Sequence, residues 1–318
     1  MNDHQVPQRI APGANYSLSE VTISIDPPGP AAPGWASMAV PLLQKARSVG
    51  VTTFDLTGAS PAALAEEIFL RAFPYRDPEL VAIVGYGERA TPRPRGLSRS
   101  ASGSGAPADP PIEGTLGRLG DRCRTIVEWS PPERSGPEAL RIPEPLVAMH
   151  GDGRILDVVV PYAAREVAGP APFRSGPLSL LDLEIVNSVR RGELPTGFSL
   201  IARDVFASGS LDGSLLAGSP LSRGPAEPPP SLGTLHARLN PILRLGFLTH
   251  GTGRTLAQTA LRFALHWPWV RSAVVPLPSP ERFGTLFGAA RGPELSEEEI
   301  DRIGVERPAA RRPHAETE

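Results

Sequence analysis

The sequence predicts a single-domain (β/α)8 TIM barrel, and three observations predict it. Segments with helical apolar spacing alternate with short apolar runs along most of the chain. The runs are largely apolar rather than alternating, as parallel strands covered on both faces are. At 318 residues the chain has a length at which one barrel closes without dividing into domains. Periodicity alone leaves an open doubly wound sheet as the alternative.

In chain order, residues 1–20 lack a clear periodic pattern and are expected to be a flexible lead into a barrel spanning 21–305. Val40 to Ser48 and Pro61 to Phe73 have helical spacing, the second placing Leu64, Ile68, Leu70 and Phe73 with Glu66 and Glu67 between them. Apolar runs at Leu80 to Val84, Thr125 to Trp129, Ile155 to Val160, Ser199 to Ala202 and Ser272 to Val275 read as strands. Later helices are expected over Asp182 to Arg191, Thr255 to Trp267 and Ser296 to Ile303. Thr255 precedes Gln258 by three and Ser296 precedes Glu299 by three, the spacing of a capping box. Two low-complexity stretches, residues 91–111 and 218–230, read as surface excursions, and residues 306–318 as a polar tail.

Composition narrows the function classes. The 32 basic and 34 acidic residues leave a net charge of -2 without a basic cluster, so neither nucleic acid nor an anionic membrane is an expected partner. The single cysteine, Cys123, forms no internal disulfide, and no stretch has the pattern of a leader or a membrane span, so a cytoplasmic location is expected. No group of residues has metal-ligand spacing; His150 and His266 read as ordinary loop and helix residues.

The chemistry-bearing feature is FDLTGASP, residues 54–61, which puts Asp55 at the end of a buried strand. An unpaired buried carboxylate costs several kcal/mol, so Asp55 needs a partner or a task. Glu128 has the strand parity of Ser130 and is a candidate to face the interior beside Asp55 as a coupled acid–base pair. The alternative is that Glu128 pairs with Arg124 or Arg118.

Four segments together resemble the aldo-keto reductases, in that family's order and over most of residues 40–305: ARSVGVTTFDLTG, TLGRLGDRCRTIVEWSPP, LIARDVFASGSL and RTLAQTALRFALHWPWVRSAVVPLPSPERF. The resemblance implies a TIM barrel whose site lies at the carboxyl ends of the strands. It also implies an Asp, Tyr, Lys and His that reduce a carbonyl with NADPH. Carried over, Asp55 retains the aspartate, whereas Ser60, Gly85 and Ser130 stand at the tyrosine, lysine and histidine positions. A serine hydroxyl is far less acidic than a phenol near pKa 10. Tyr86 adjoins the lysine position, but adjacent strand residues face opposite ways, so it is expected to point out of the barrel.

The cofactor positions implied by the resemblance are altered as well. Pro161, Tyr162 and Ser175 stand near the nicotinamide-amide contacts, Arg203 replaces the aromatic that stacks on the ring, and Asp204 replaces a serine beside the pyrophosphate. A carboxylate about 4 Å from a phosphate costs about 1 to 4 kcal/mol in repulsion. Only Ser279 and Arg282 match the adenosine-phosphate contacts. The expectation is therefore a non-redox barrel of aldo-keto reductase type, a pseudoenzyme or accessory protein with a possible small-molecule ligand and no cofactor. The alternative is an active NADPH-dependent reductase of a small aldehyde or ketone, or a repurposed lyase.

Overall fold

The computed structural model describes residues 5–10, 15–26, 34–58, 62–87, 112–131, 140–164, 167–168, 173–194, 197–212, 239–289 and 294–306. Eight parallel strands close into a barrel. With all strands numbered in chain order, these are β3 (Val21–Ser24), β4 (Thr53–Asp55), β5 (Val81–Gly87), β6 (Arg124–Ser130), β8 (Asp157–Pro161), β10 (Phe173–Pro177), β11 (Ser199–Arg203) and β12 (Val270–Pro276). Outside the barrel, β1 (Gln8–Ile10) pairs with β2 (Ser17–Ser19) and β7 (Leu140–Arg141) with β9 (Val167–Ala168). Closure is made by β12 pairing with β3, with Ala273 opposite Val21 and Pro276 opposite Ser24. The expected TIM barrel is thus the observed fold, and the open sheet is set aside.

Helices α1 (Trp35–Ser48), α2 (Ala62–Ala72), α3 (Ile112–Leu119), α4 (Glu144–Gly151), α5 (Glu184–Arg190), α6 (Leu256–His266), α7 (Pro280–Ala289) and α8 (Glu297–Glu306) surround it. The two expected capping boxes are formed. Thr255 and Gln258 exchange side-chain and backbone bonds at the start of α6, and Ser296 and Glu299 do so at α8.

Strand alternation sorts the apolar residues into two cores. Phe54, Ala82, Val84, Val127, Val158, Leu200 and Ala202 point outward and pack under the helices. Val81, Ile83, Ile126, Val159, Phe173, Ile201 and Val274 point inward and fill the barrel. The inner core ends below the carboxyl edge of the sheet, and polar residues occupy that edge.

One expectation is corrected at the amino end. Within residues 1–20, expected to be flexible, β1 (Gln8–Ile10) and β2 (Ser17–Ser19) form an antiparallel hairpin across the barrel floor. Tyr16 and Leu18 join the inner core, and Val6 is buried in the outer one. The anchor is Arg9: Nε donates to Glu20 (2.7 Å), Nη1 to the carbonyls of Trp267 (3.1 Å) and Val270 (2.7 Å), and Nη2 to that of Leu265 (2.7 Å). Arg9→Ala would strand three carbonyls and a carboxylate, a loss of about 2 to 3 kcal/mol of unfolding free energy in urea. A loss under about 1 kcal/mol would mean that apolar contacts alone hold the hairpin. The stretches 91–111 and 218–230, Ser60, and the tail from residue 307 lie outside the described residues.

Candidate functional site

The site is built by strand parity. On β4, Phe54 packs outward, so Asp55 faces in. On β5, Val81 and Ile83 face in, and Gly85 follows them with no side chain to contribute. The same alternation turns Glu128 inward after Ile126, Ser175 after Phe173, and Arg203 after Ile201. Gly85 lies opposite Glu128 in register, between the strand of Asp55 and that of Glu128. The cation that reaches both carboxylates comes from β11, as Arg203.

Arg203 closes a charge cluster over the inner core. Its Nη1 donates to Asp55 Oδ2 at 2.8 Å and its Nη2 to Asp55 Oδ1 at 3.3 Å. The same Nη2 also contacts Glu128 Oε2. Ser175 Oγ donates to Glu128 Oε1 at 2.7 Å, and the backbone N–H of Thr57 donates to Asp55 Oδ1 at 3.1 Å. The Asp55 side chain is 1% exposed. Burial pushes its carboxyl up, but the Arg203 charge and hydrogen bonds, with Thr57, outweigh that and hold it below the usual carboxylate range. Burial likewise pulls Arg203 down, and the two carboxylates outweigh it and hold it above its ordinary value.

These contacts correct two readings. Glu128 does face the interior beside Asp55, but Arg203 bridges the two, so both carboxylates are ion-paired rather than free to share a proton. The alternative pairing of Glu128 with Arg124 or Arg118 is also not formed: Arg118 Nε binds Glu66 at 2.6 Å, and the Arg124 guanidinium lies over the Tyr16 ring at 5.9 Å. Asp55 is therefore not a carboxylate left without its cation; the cation comes from the seventh barrel strand instead of the third.

The remaining implied positions scatter. Ser130 ends β6 opposite Gly87. Asp204 begins a turn with φ 51°, its Oδ1 accepting from the Ser208 N–H at 2.6 Å. Ser279 precedes α7, where its carbonyl accepts from the N–H groups of Arg282 and Phe283. Arg282 is paired with Asp212 at 3.4 Å. Among the described residues Ser279 and Arg282 make no hydrogen bond or ion pair with the cluster around Asp55. Tyr162 meets the sixth strand through its backbone N–H, which donates to the Ser175 carbonyl at 2.7 Å, and through its side chain, which packs against Gly176.

All four tyrosines and the one lysine are placed, and none reaches Asp55. Tyr16 lies at the barrel floor, its hydroxyl donating to Asp157 Oδ2 at 2.9 Å, with burial pushing both groups up. Tyr75 is exposed, while Tyr86 and Tyr162 pack against the outer core. Lys45 lies over the Phe283 ring at 4.6 Å. Cys123 is buried, and burial pushes its thiol up to about 12, which leaves no reactive thiolate. Among the described residues no group of histidines, cysteines and carboxylates could hold a metal ion, and no helix is long and apolar enough to cross a membrane.

A closed parallel barrel with a buried Asp–Arg–Glu cluster at the carboxyl ends of its strands is a TIM barrel with a candidate site at that end. Within that class, the fold is that of the aldo-keto reductases. The structure is similar to aldo-keto reductase AKR11C1 from Bacillus halodurans in its holo form, with a TM-score of 0.65 and 15% identity over 96% of this chain and 98% of that one. The apo form of that enzyme gives a TM-score of 0.65 and 16% identity over the same shares. The thermostable aldo-keto reductase Tm1743, in complex with the inhibitor epalrestat, gives 0.63 and 18% over 94% of this chain and 99% of that one. No protein-family model matches the sequence, and no curated protein does.

Proposed function

We propose that this barrel is a non-redox protein, a pseudoenzyme or accessory protein whose mouth receives a small neutral or cationic molecule. The observation that carries the reading is the Arg203 bridge between Asp55 and Glu128. A reductase of this fold needs an acid to protonate the carbonyl oxygen, and that acid must lie within hydrogen-bond reach of the reacting atom. Asp55 is held ionised by Arg203, no phenol accompanies it, and the chain's lysine is on α1.

The residues present do not fit a nicotinamide cofactor. A guanidinium fixed by two carboxylates takes the place of a ring platform, and the Ser175 hydroxyl is engaged by Glu128. Arg282, the remaining match for a phosphate contact, faces Asp212. Two carboxylates around one guanidinium give the cluster itself an excess of negative charge, which opposes a pyrophosphate beside it.

Titrating the full-length protein with NADPH, followed by cofactor fluorescence and by calorimetry, tests the reading. No saturable binding up to about 1 mM is expected, which corresponds to less than about 4 kcal/mol of binding free energy. Saturation in the low micromolar range would overturn the proposal.

A further inference from the structure

The end of the barrel opposite the mouth carries a polar cavity. It has a volume of about 360 Å³ and lies between the floor hairpin, the end of α6, the start of β12 and the residues leading into α8. That volume is in the range of small-molecule sites. Three arginines line it, Arg9, Arg262 and Arg271, facing the two carboxylates Glu20 and Glu294. The cavity is left with one net positive charge before His266 is counted.

The three guanidinium groups are not equivalent. Arg9 contributes charge, but its Nε, Nη1 and Nη2 are all engaged by Glu20 and by three carbonyls. Arg271 stands on β12, its Nε donating to Ser199 Oγ at 3.2 Å. Among the described residues its two Nη nitrogens have no hydrogen-bond partner and no carboxylate within ion-pair distance. Arg262 projects from α6 into the same space, within electrostatic range of Glu20, Glu294 and Arg9.

The cations are held against their preference. Burial pulls Arg271 below its ordinary range, and the Arg9 charge adds to the effect. Burial pulls Arg262 down likewise, and there the two carboxylates offset only part of it. A bound anion would relieve both the desolvation and the repulsion, and a planar guanidinium matches the oxygens of a phosphate. Leu265, Pro268 and Leu295 line the cavity as its apolar part, enough for a small organic body beside the charged group.

We propose that this floor cavity is a binding site for a small organic phosphate, with the phosphate on Arg271 and Arg262 and the body against Leu265, Pro268 and Leu295. The proposal is independent of what the mouth binds. It assigns a ligand site to the face of the barrel that ordinarily serves stability.

Calorimetric titration of the full-length protein with phenyl phosphate, and separately with inorganic phosphate, tests it. One saturable site is expected, weakened about tenfold or more in R271Q and in R262Q and unchanged in R282Q. Using both variants guards against a folding defect in either, and circular dichroism checks that each is folded. No saturable heat with either probe up to about 10 mM would overturn the proposal. So would undiminished affinity in both folded variants, or a loss confined to R282Q, which would place the anion at the start of α7.

Discussion

Arg203→Met should be the most damaging single change at the barrel mouth, destabilising the protein by about 3 to 5 kcal/mol at pH 7. Methionine fills a similar volume, so the loss is not one of packing. The cost arises because Asp55, with a side chain 1% exposed, would remain charged without its cation. In the wild type the Asp55 carboxyl is held below its unfolded value, mainly because Arg203 outweighs burial. Its stabilisation is therefore fully present above the unfolded pKa, about 3.9, and is lost as pH falls through the lower folded value.

The variant should invert that dependence. With Arg203 gone, burial dominates and the folded pKa of Asp55 rises above the unfolded one. The folded state then binds more protons than the unfolded state between the two values, and stability rises as pH falls through that window. Urea unfolding at pH 7 and pH 5 reads this directly. R203M should regain about 1 to 3 kcal/mol more than the wild type does on acidification. A variant that loses less than about 1 kcal/mol, with a pH profile parallel to the wild type, would show that the cluster does not depend on Arg203.

What the sequence made legible follows from which signals are local. The runs at residues 80–84 and 125–129 stood out because both faces of β5 and β6 are apolar over most of their length. The sixth barrel strand, FRSGP, did not, because it carries Arg174, Ser175, Gly176 and Pro177 and was placed only through the family resemblance. Gly176 in particular looks like a loop residue, yet a side chain there would begin 2.8 Å from Tyr162 Cβ and 3.0 Å from Ile185 Cδ1. The floor hairpin was invisible for another reason: Arg9 is anchored to carbonyls more than two hundred residues away.

Arg203 shows the same limit at the site. Its position was singled out, but as a replaced ring platform, and its task depends on closure. The barrel brings β11 across to Asp55, 148 residues away in sequence, and to Glu128, 75 residues away. Parity did place Asp55 and Glu128 on one face, and it also turned Tyr86 outward. A carboxylate pair read without its bridging cation suggests acid–base chemistry; with the cation it is a closed ion-pair network. The difference lies in one arginine whose strand parity matched theirs and whose contact with them no spacing could supply.

Gly87→Ala should be comparably damaging, by about 3 to 5 kcal/mol, for a purely geometric reason that also bears on the mouth. Gly87 ends β5 with φ 107°, a conformation that side-chain-bearing residues rarely adopt. A Cβ there would lie 2.2 Å from the Ser130 carbonyl oxygen, which is backbone and cannot rotate away. The residue must therefore shift either the end of β5 or that of β6, where Gly87 pairs with Ser130 and Gly85 with Glu128. Gly34→Ala separates the two contributions: Gly34 also has a positive φ, 85°, but a Cβ there meets nothing within 4 Å among the described residues. G34A should cost only about 1 to 2 kcal/mol, the penalty for the left-handed backbone alone. Thermal and urea unfolding of the two variants side by side should show G87A losing at least about 1 kcal/mol more than G34A. Equal losses would mean that the β5 and β6 ends yield freely, and that Glu128 is not held in place by the sheet.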